Sequence, residues 1–154
     1  MTFKKMKWLD KYAGGLLCFL FTLFDKIKKI VISGKSAPKD VRNILFIKFW
    51  GIGSIINATP LLKAIKEKHP DGRIIIATLT RNKDIASMFD VIDEVIVLDI
   101  DHGIIKAILS VFKMLVSIRL LKIDLTFDLE FFTRFSALIT YLSGARERVG
   151  FKAW

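Results

Sequence analysis

From Asn43 onward, short apolar runs alternate with stretches whose apolar residues recur at helical spacing. Asn43–Phe49 (NILFIKF) has the near-continuous apolar pattern of a parallel strand buried on both faces. Gly51-Ile52-Gly53-Ser54 makes a tight turn. The spacing of Ile55, Leu62 and Ile65 then predicts a helix over 54–68, with Pro60 near its first turns, where a missing N–H costs least. His69-Pro70-Asp71-Gly72 stops it, and Arg73–Thr78 (RIIIAT) is a second strand. A short helix over Asn82–Phe89 precedes a third strand, Glu94–Asp99. A long helix over Ile104–Leu121 leads to a fourth strand, Asp124–Leu129. A helix over Arg134–Leu142 and a short strand over Arg148–Phe151 complete the pattern. Strands alternating with helices across short turns imply an α/β fold, a Rossmann-like parallel sheet flanked by helices.

The Ile104–Leu121 helix departs from ordinary amphipathicity. Lys106, Ser110, Lys113 and Ser117 form one narrow polar stripe, and the remaining positions are apolar. Deep packing against the sheet uses such a helix fully, and a membrane-facing surface uses the same residues.

Charge separates the chain into two parts. Met1–Lys48 carries eleven Lys/Arg against three Asp, and Phe49–Trp154 carries fourteen basic against twelve acidic residues. Ala13–Phe24 (AGGLLCFLFTLF) is uncharged and spans roughly 18 Å as a helix, short of the roughly 30 Å bilayer core. Lysines flank it on both sides, which opposes translocation, and it lacks a small-residue cleavage site. Trp8, Tyr12, Phe19 and their apolar neighbours form one helical face, with Lys26, Lys28 and Lys29 at its end. This predicts a basic amphipathic helix over 1–32 lying on an anionic cytoplasmic membrane surface, preceding a linker over 33–42 and a single domain over 43–154. The alternatives are a helix packed on that domain and a short signal anchor.

Composition narrows the chemistry. A hydrophobic content of 53% excludes disorder. One cysteine, Cys18, and two histidines, His69 and His102, leave no cysteine-rich zinc site and little for a histidine metal centre. The interleaving of basic with greasy residues turns the expectation away from nucleic acid. In an open parallel sheet, ligands bind beyond the carboxyl ends of the strands, here 49–54, 78–81, 99–102 and 128–133. The glycine turn leads into a helix N-terminus suited to a phosphate or carboxylate, with Ser54 as cap or ligand contact. A dinucleotide fingerprint is incomplete, because Ile56 stands at the third glycine and the second strand ends without an acid. Asp128 and Glu130, two apart at the end of the fourth strand, are candidate general bases. Capping of the following turn by Asp128 and pairing of Glu130 with Arg134 are the structural alternatives.

Ile44 to Ser54 (ILFIKFWGIGS) followed by Ala58-Thr59-Pro60-Leu61-Leu62 resembles the opening of the glycosyltransferase family 9 enzymes, the heptosyltransferases of lipopolysaccharide core assembly and their relatives. Asp124–Glu130, Arg134–Leu138, Ser143-Gly144-Ala145 and Arg148–Phe151 match the family's later pattern in order. The resemblance implies the N-terminal, acceptor-side half of a GT-B fold. It implies inverting, metal-independent transfer of a heptose or similar sugar to a lipopolysaccharide-type glycolipid, with no cofactor beyond a nucleotide-sugar donor. That donor would be held by a C-terminal domain absent from this chain, which ends near the close of the first domain and would be inactive alone. Among the matched positions, Glu130 or Asp128 would be the catalytic base, and Lys48, Gly51, Gly53, Ser54 and Arg134 would bind acceptor or anion. The chain departs from the family in carrying Ser54 where the heptosyltransferases carry an Asp, and a serine is no base at neutral pH. A non-catalytic membrane-associated binding module and a nucleotide-binding oxidoreductase domain are the competing readings.

Overall fold

A computed structural model of the protein describes residues 40–131 and 133–151. The amphipathic segment over 1–32, with Trp8, Tyr12, Phe19, Lys26, Lys28 and Lys29, lies outside the described residues. No helix among the described residues is long and apolar enough to cross a membrane.

Five strands form one parallel sheet: β1 Asn43–Ile47, β2 Arg73–Leu79, β3 Glu94–Leu98, β4 Leu125–Asp128 and β5 Glu147–Val149, in the order β3-β2-β1-β4-β5. The helices are α1 Ile52–Lys68, α2 Lys83–Ser87, α3 Ile104–Leu120 and α4 Arg134–Leu142. This is the doubly wound, Rossmann-like arrangement expected from the alternation of elements.

Central strands are apolar on both faces because both are covered. Ile44 and Phe46 of β1 meet Ile55 and Leu62 of α1 and Ala86 of α2. Leu45 and Ile47 point the opposite way and meet Met114 and Ile118 of α3 and Ile139 of α4. Phe46 and Phe127 stack at 4.9 Å across the β1–β4 register.

Carboxylates fix the strand starts. Asp124, just before β4, accepts the Arg42 and Asn43 N–H groups at 3.0 and 3.1 Å. Asp93, just before β3, accepts the Ile74 N–H at 2.7 Å. Each satisfies backbone donors that the adjoining ladder leaves unpaired.

Several boundaries differ from expectation. Helix α1 begins at Ile52, two residues before Ser54, because Gly51 adopts φ 84° and turns the chain directly into the helix. Pro60 is therefore in the helix interior. Pro60 and Ile56, whose carbonyl loses its donor, are both exposed, so water can take the vacant bond. The segment over 82–89 divides into a 3₁₀ turn, Thr80–Asn82, and the short α2. Strand β5 starts earlier than expected, at Glu147, whose N–H bonds Asp124 O at 3.0 Å.

Helix α3 is not deeply packed. Only Met114 and Ile118 are fully buried, and a second apolar face is open to solvent.

Candidate functional site

Strand order reverses between β1 and β4, so the crevice at their carboxyl ends is the natural ligand position of this sheet. The chain leaves β1 through Lys48, Phe49 and Trp50 and leaves β4 through Leu129 and Glu130. These two exits are bonded to each other. Glu130 Oε1 accepts the Phe49 and Trp50 N–H groups, both at 2.8 Å. Lys48 Nζ lies 3.4 Å from the same oxygen and donates to Leu129 O at 3.0 Å. The side chains of this ion pair are 8% and 1% exposed. A buried pair of this kind persists because further hydrogen bonds satisfy it, and here three donors converge on one oxygen.

Asp128 sits one pleat earlier. Its Oδ1 accepts the Glu130 N–H at 3.0 Å, so it shapes the turn that aims Glu130 at β1. Burial raises the Asp128 pKa above the ordinary aspartate value, against the lowering effect of its hydrogen bonds to the Glu130 N–H and Ser136. A carboxylate so placed is a stronger base than one in water.

A third exit joins the cluster. Asn82, in the 3₁₀ turn after β2, donates from Nδ2 to Phe49 O at 2.8 Å and lies 3.0 Å from Thr78 Oγ1. Arg81 beside it stacks its guanidinium 5.4 Å from the Trp50 ring. Phe49 also packs its ring against Phe135 of α4 at 5.6 Å. The loops after β1, β2 and β4 thus form one bonded rim.

The rim opens onto the start of α1. Gly51 precedes the helix, and no side chain caps it. Gly53 has open space where a Cβ would stand, and Ser54 is exposed. Ser54 lies inside the first turn, its N–H bonded to Gly51 O at 3.0 Å, so it is not the helix cap. This helix start offers free N–H donors and the positive end of a helix dipole.

The fold is similar to that of a glycosyltransferase family 9 protein. That structure, from Veillonella parvula, is 21% identical in sequence and superposes with a TM-score of 0.63 over 72% of this chain. The chain spans 32% of that protein's length. No protein-family model matches the chain, and no curated protein is similar to it at a comparable standard.

Within this chain, the residues expected at the site fall as follows. Lys48, Asp128 and Glu130 come together, and Gly51 follows directly on Trp50, a Glu130 partner. Gly53 and Ser54 occupy the adjoining helix turn. Arg134 begins α4, on the far side of the β4 loop. Sequence reasoning missed Asn82, which looked like an ordinary first residue of a short helix. Its only sequence signal is an amide side chain at a strand exit. It also missed the hydrogen bond between His102 Nδ1 and Asp99 Oδ2 beyond β3, at 2.8 Å. The Asp101 N–H, and after it this hydrogen bond, lower the Asp99 pKa. No group of three His, Cys, Asp or Glu side chains suited to a metal ion occurs among the described residues.

Proposed function

We propose that this chain supplies the acceptor-side half of an inverting glycosyltransferase. It would work on a lipopolysaccharide-type glycolipid at the inner face of the cytoplasmic membrane, with heptose or a similar sugar as the transferred group. A second Rossmann-like domain holds the nucleotide-sugar donor. The observation that carries this reading is the placement of Asp128 and Glu130 beside the Gly51–Ser54 helix start, at the switch point of a sheet shaped like a family 9 enzyme.

In this mechanism Asp128 takes the proton of the acceptor hydroxyl. The freed oxygen attacks the anomeric carbon of the donor from the face opposite the diphosphate. The carbon–oxygen bond to the diphosphate breaks, its electron pair leaves with the phosphate oxygen, and the configuration inverts. Burial keeps Asp128 basic enough for this role. Glu130 acts as a positioning residue, because its Oε1 is already committed to Phe49, Trp50 and Lys48. The open space at Gly53 and the free N–H groups of α1 receive an anionic group of the acceptor.

Titration of the full chain with a lipopolysaccharide-core glycolipid tests the binding half of this reading. Saturable binding, weakened about tenfold by Gly53→Ala filling the helix start, is expected. No binding, or binding indifferent to Gly53→Ala, overturns it. The chemical half is tested in a two-domain relative with serine at the Ser54 position. There, replacing the residue matching Asp128 with Asn lowers turnover at least about a hundredfold, and a loss below about threefold removes it as base.

A further inference from the structure

The outward face of α3 is apolar along its whole length. Ile105, Leu109, Phe112, Val116 and Leu120 recur at intervals of three and four, directly opposite the buried Met114 and Ile118. Ile105 and Leu120 are each 77% exposed, and Phe112 is 67% exposed. An ordinary surface helix turns polar groups outward, and a continuous apolar ridge of this kind marks a contact surface.

Charge identifies the occupant. Between Asp101 and Asp124 the chain has no acidic residue, and its charges there are Lys106, Lys113, Arg119 and Lys122. Lys106 and Lys113 border the ridge on one side, and Arg119, whose Nε donates to Leu142 O, lies on the other. A second copy of the chain would set these cations against their own equivalents. The basic segment over 1–39, with nine Lys and two Asp, would meet the same repulsion. An anionic lipid surface matches both features, taking the ridge into its apolar boundary and the flanking cations at its headgroups.

We infer that α3 is an in-plane membrane-docking helix. Its 17 residues reach about 25 Å, lying along the bilayer surface. This inference is independent of the sugar-transfer reading, and its test involves no sugar.

The full chain is mixed with vesicles of phosphatidylcholine alone or with phosphatidylglycerol added, and bound protein is recovered by flotation. Binding to the anionic vesicles is expected. Leu109→Glu combined with Phe112→Glu weakens it at least about tenfold, and Lys106→Glu weakens it about fivefold per unit of charge removed. These side chains are exposed, and circular dichroism checks that each variant keeps its fold. To separate α3 from the N-terminal segment, an environment-sensitive fluorophore is placed on Leu109→Cys in a Cys18→Ser background. A blue shift of the probe on adding anionic vesicles supports docking through α3. Absence of vesicle binding, an unshifted probe, or unchanged binding by the Leu109/Phe112 variant overturns it. So does a dimer in sedimentation equilibrium that the same variant dissociates, which would assign the ridge to a second copy.

Discussion

Asn82 and Glu130 hold the same residue from opposite directions. The Asn82 amide donates to Phe49 O, and the Glu130 carboxylate accepts from Phe49 N, each at 2.8 Å. The two come from loops on opposite sides of β1, and each fills a need that the strand ladder leaves at its exit. Phe49 is thereby fixed where β1 turns toward α1. The orientation of the helix start depends on two side chains that lie 33 and 81 residues further along the chain.

Removing Glu130 strands a buried ammonium and two N–H groups. Glu130→Leu is expected to cost about 3–5 kcal/mol of stability, measured by urea denaturation. Lys48→Met costs less, since the Glu130 carboxylate keeps both backbone donors whereas the abandoned Lys48 keeps only Leu129 O. A larger loss from Lys48→Met than from Glu130→Leu contradicts the bonding described here.

Asn82→Ala is expected to cost roughly 1–3 kcal/mol, leaving Phe49 O without its side-chain donor. Asn82→Asp costs more, because it sets a carboxylate oxygen against that carbonyl. Denaturation of both variants checks the order. Equal stability of Asn82→Asp and the parent chain would contradict it.

Asp128 has a raised pKa in the folded protein, so protonation favours the fold. Its contribution is fully present below the unfolded value of about 3.9 and is lost as pH rises through the higher folded value. Asp128→Asn removes that loss while its side-chain oxygen still accepts the Glu130 N–H. The variant is expected to melt higher than the parent near neutral pH, with the gap closing in acid. A gap that widens below pH of about 4 reverses the sign and refutes the burial account.

The two glycines of the turn respond oppositely. Gly51→Ala forces a side chain into φ 84° and costs about 1–3 kcal/mol. Gly53→Ala, in a helix with open space around it, is neutral or stabilising by up to about 1 kcal/mol. Thermal melts of the pair separate a residue required by backbone geometry from one whose side of the helix is simply open.

Local pattern carried much of this molecule. The apolar runs at Ile44–Ile47 and Ile74–Leu79 are strands buried on both faces, and alternation with helices required parallel pairing. The separation of Asp128 and Glu130 by two residues placed both at one strand end. Residues near in sequence, or repeating at a fixed period, declare themselves because one secondary element governs them.

The partnerships across the sheet did not follow from pattern. Glu130 was legible as an acid beyond β4, yet its bonds run to residues about eighty positions earlier, which only the β1–β4 pairing brings near. Asn82 gave no periodic signal, since one hydrogen bond to a distant carbonyl leaves no trace in spacing. The two-sided apolar character of α3 is written in its residues, while which side the sheet covers was decided by packing. Periodicity fixes the faces of an element, and the tertiary fold alone chooses the neighbour each face meets.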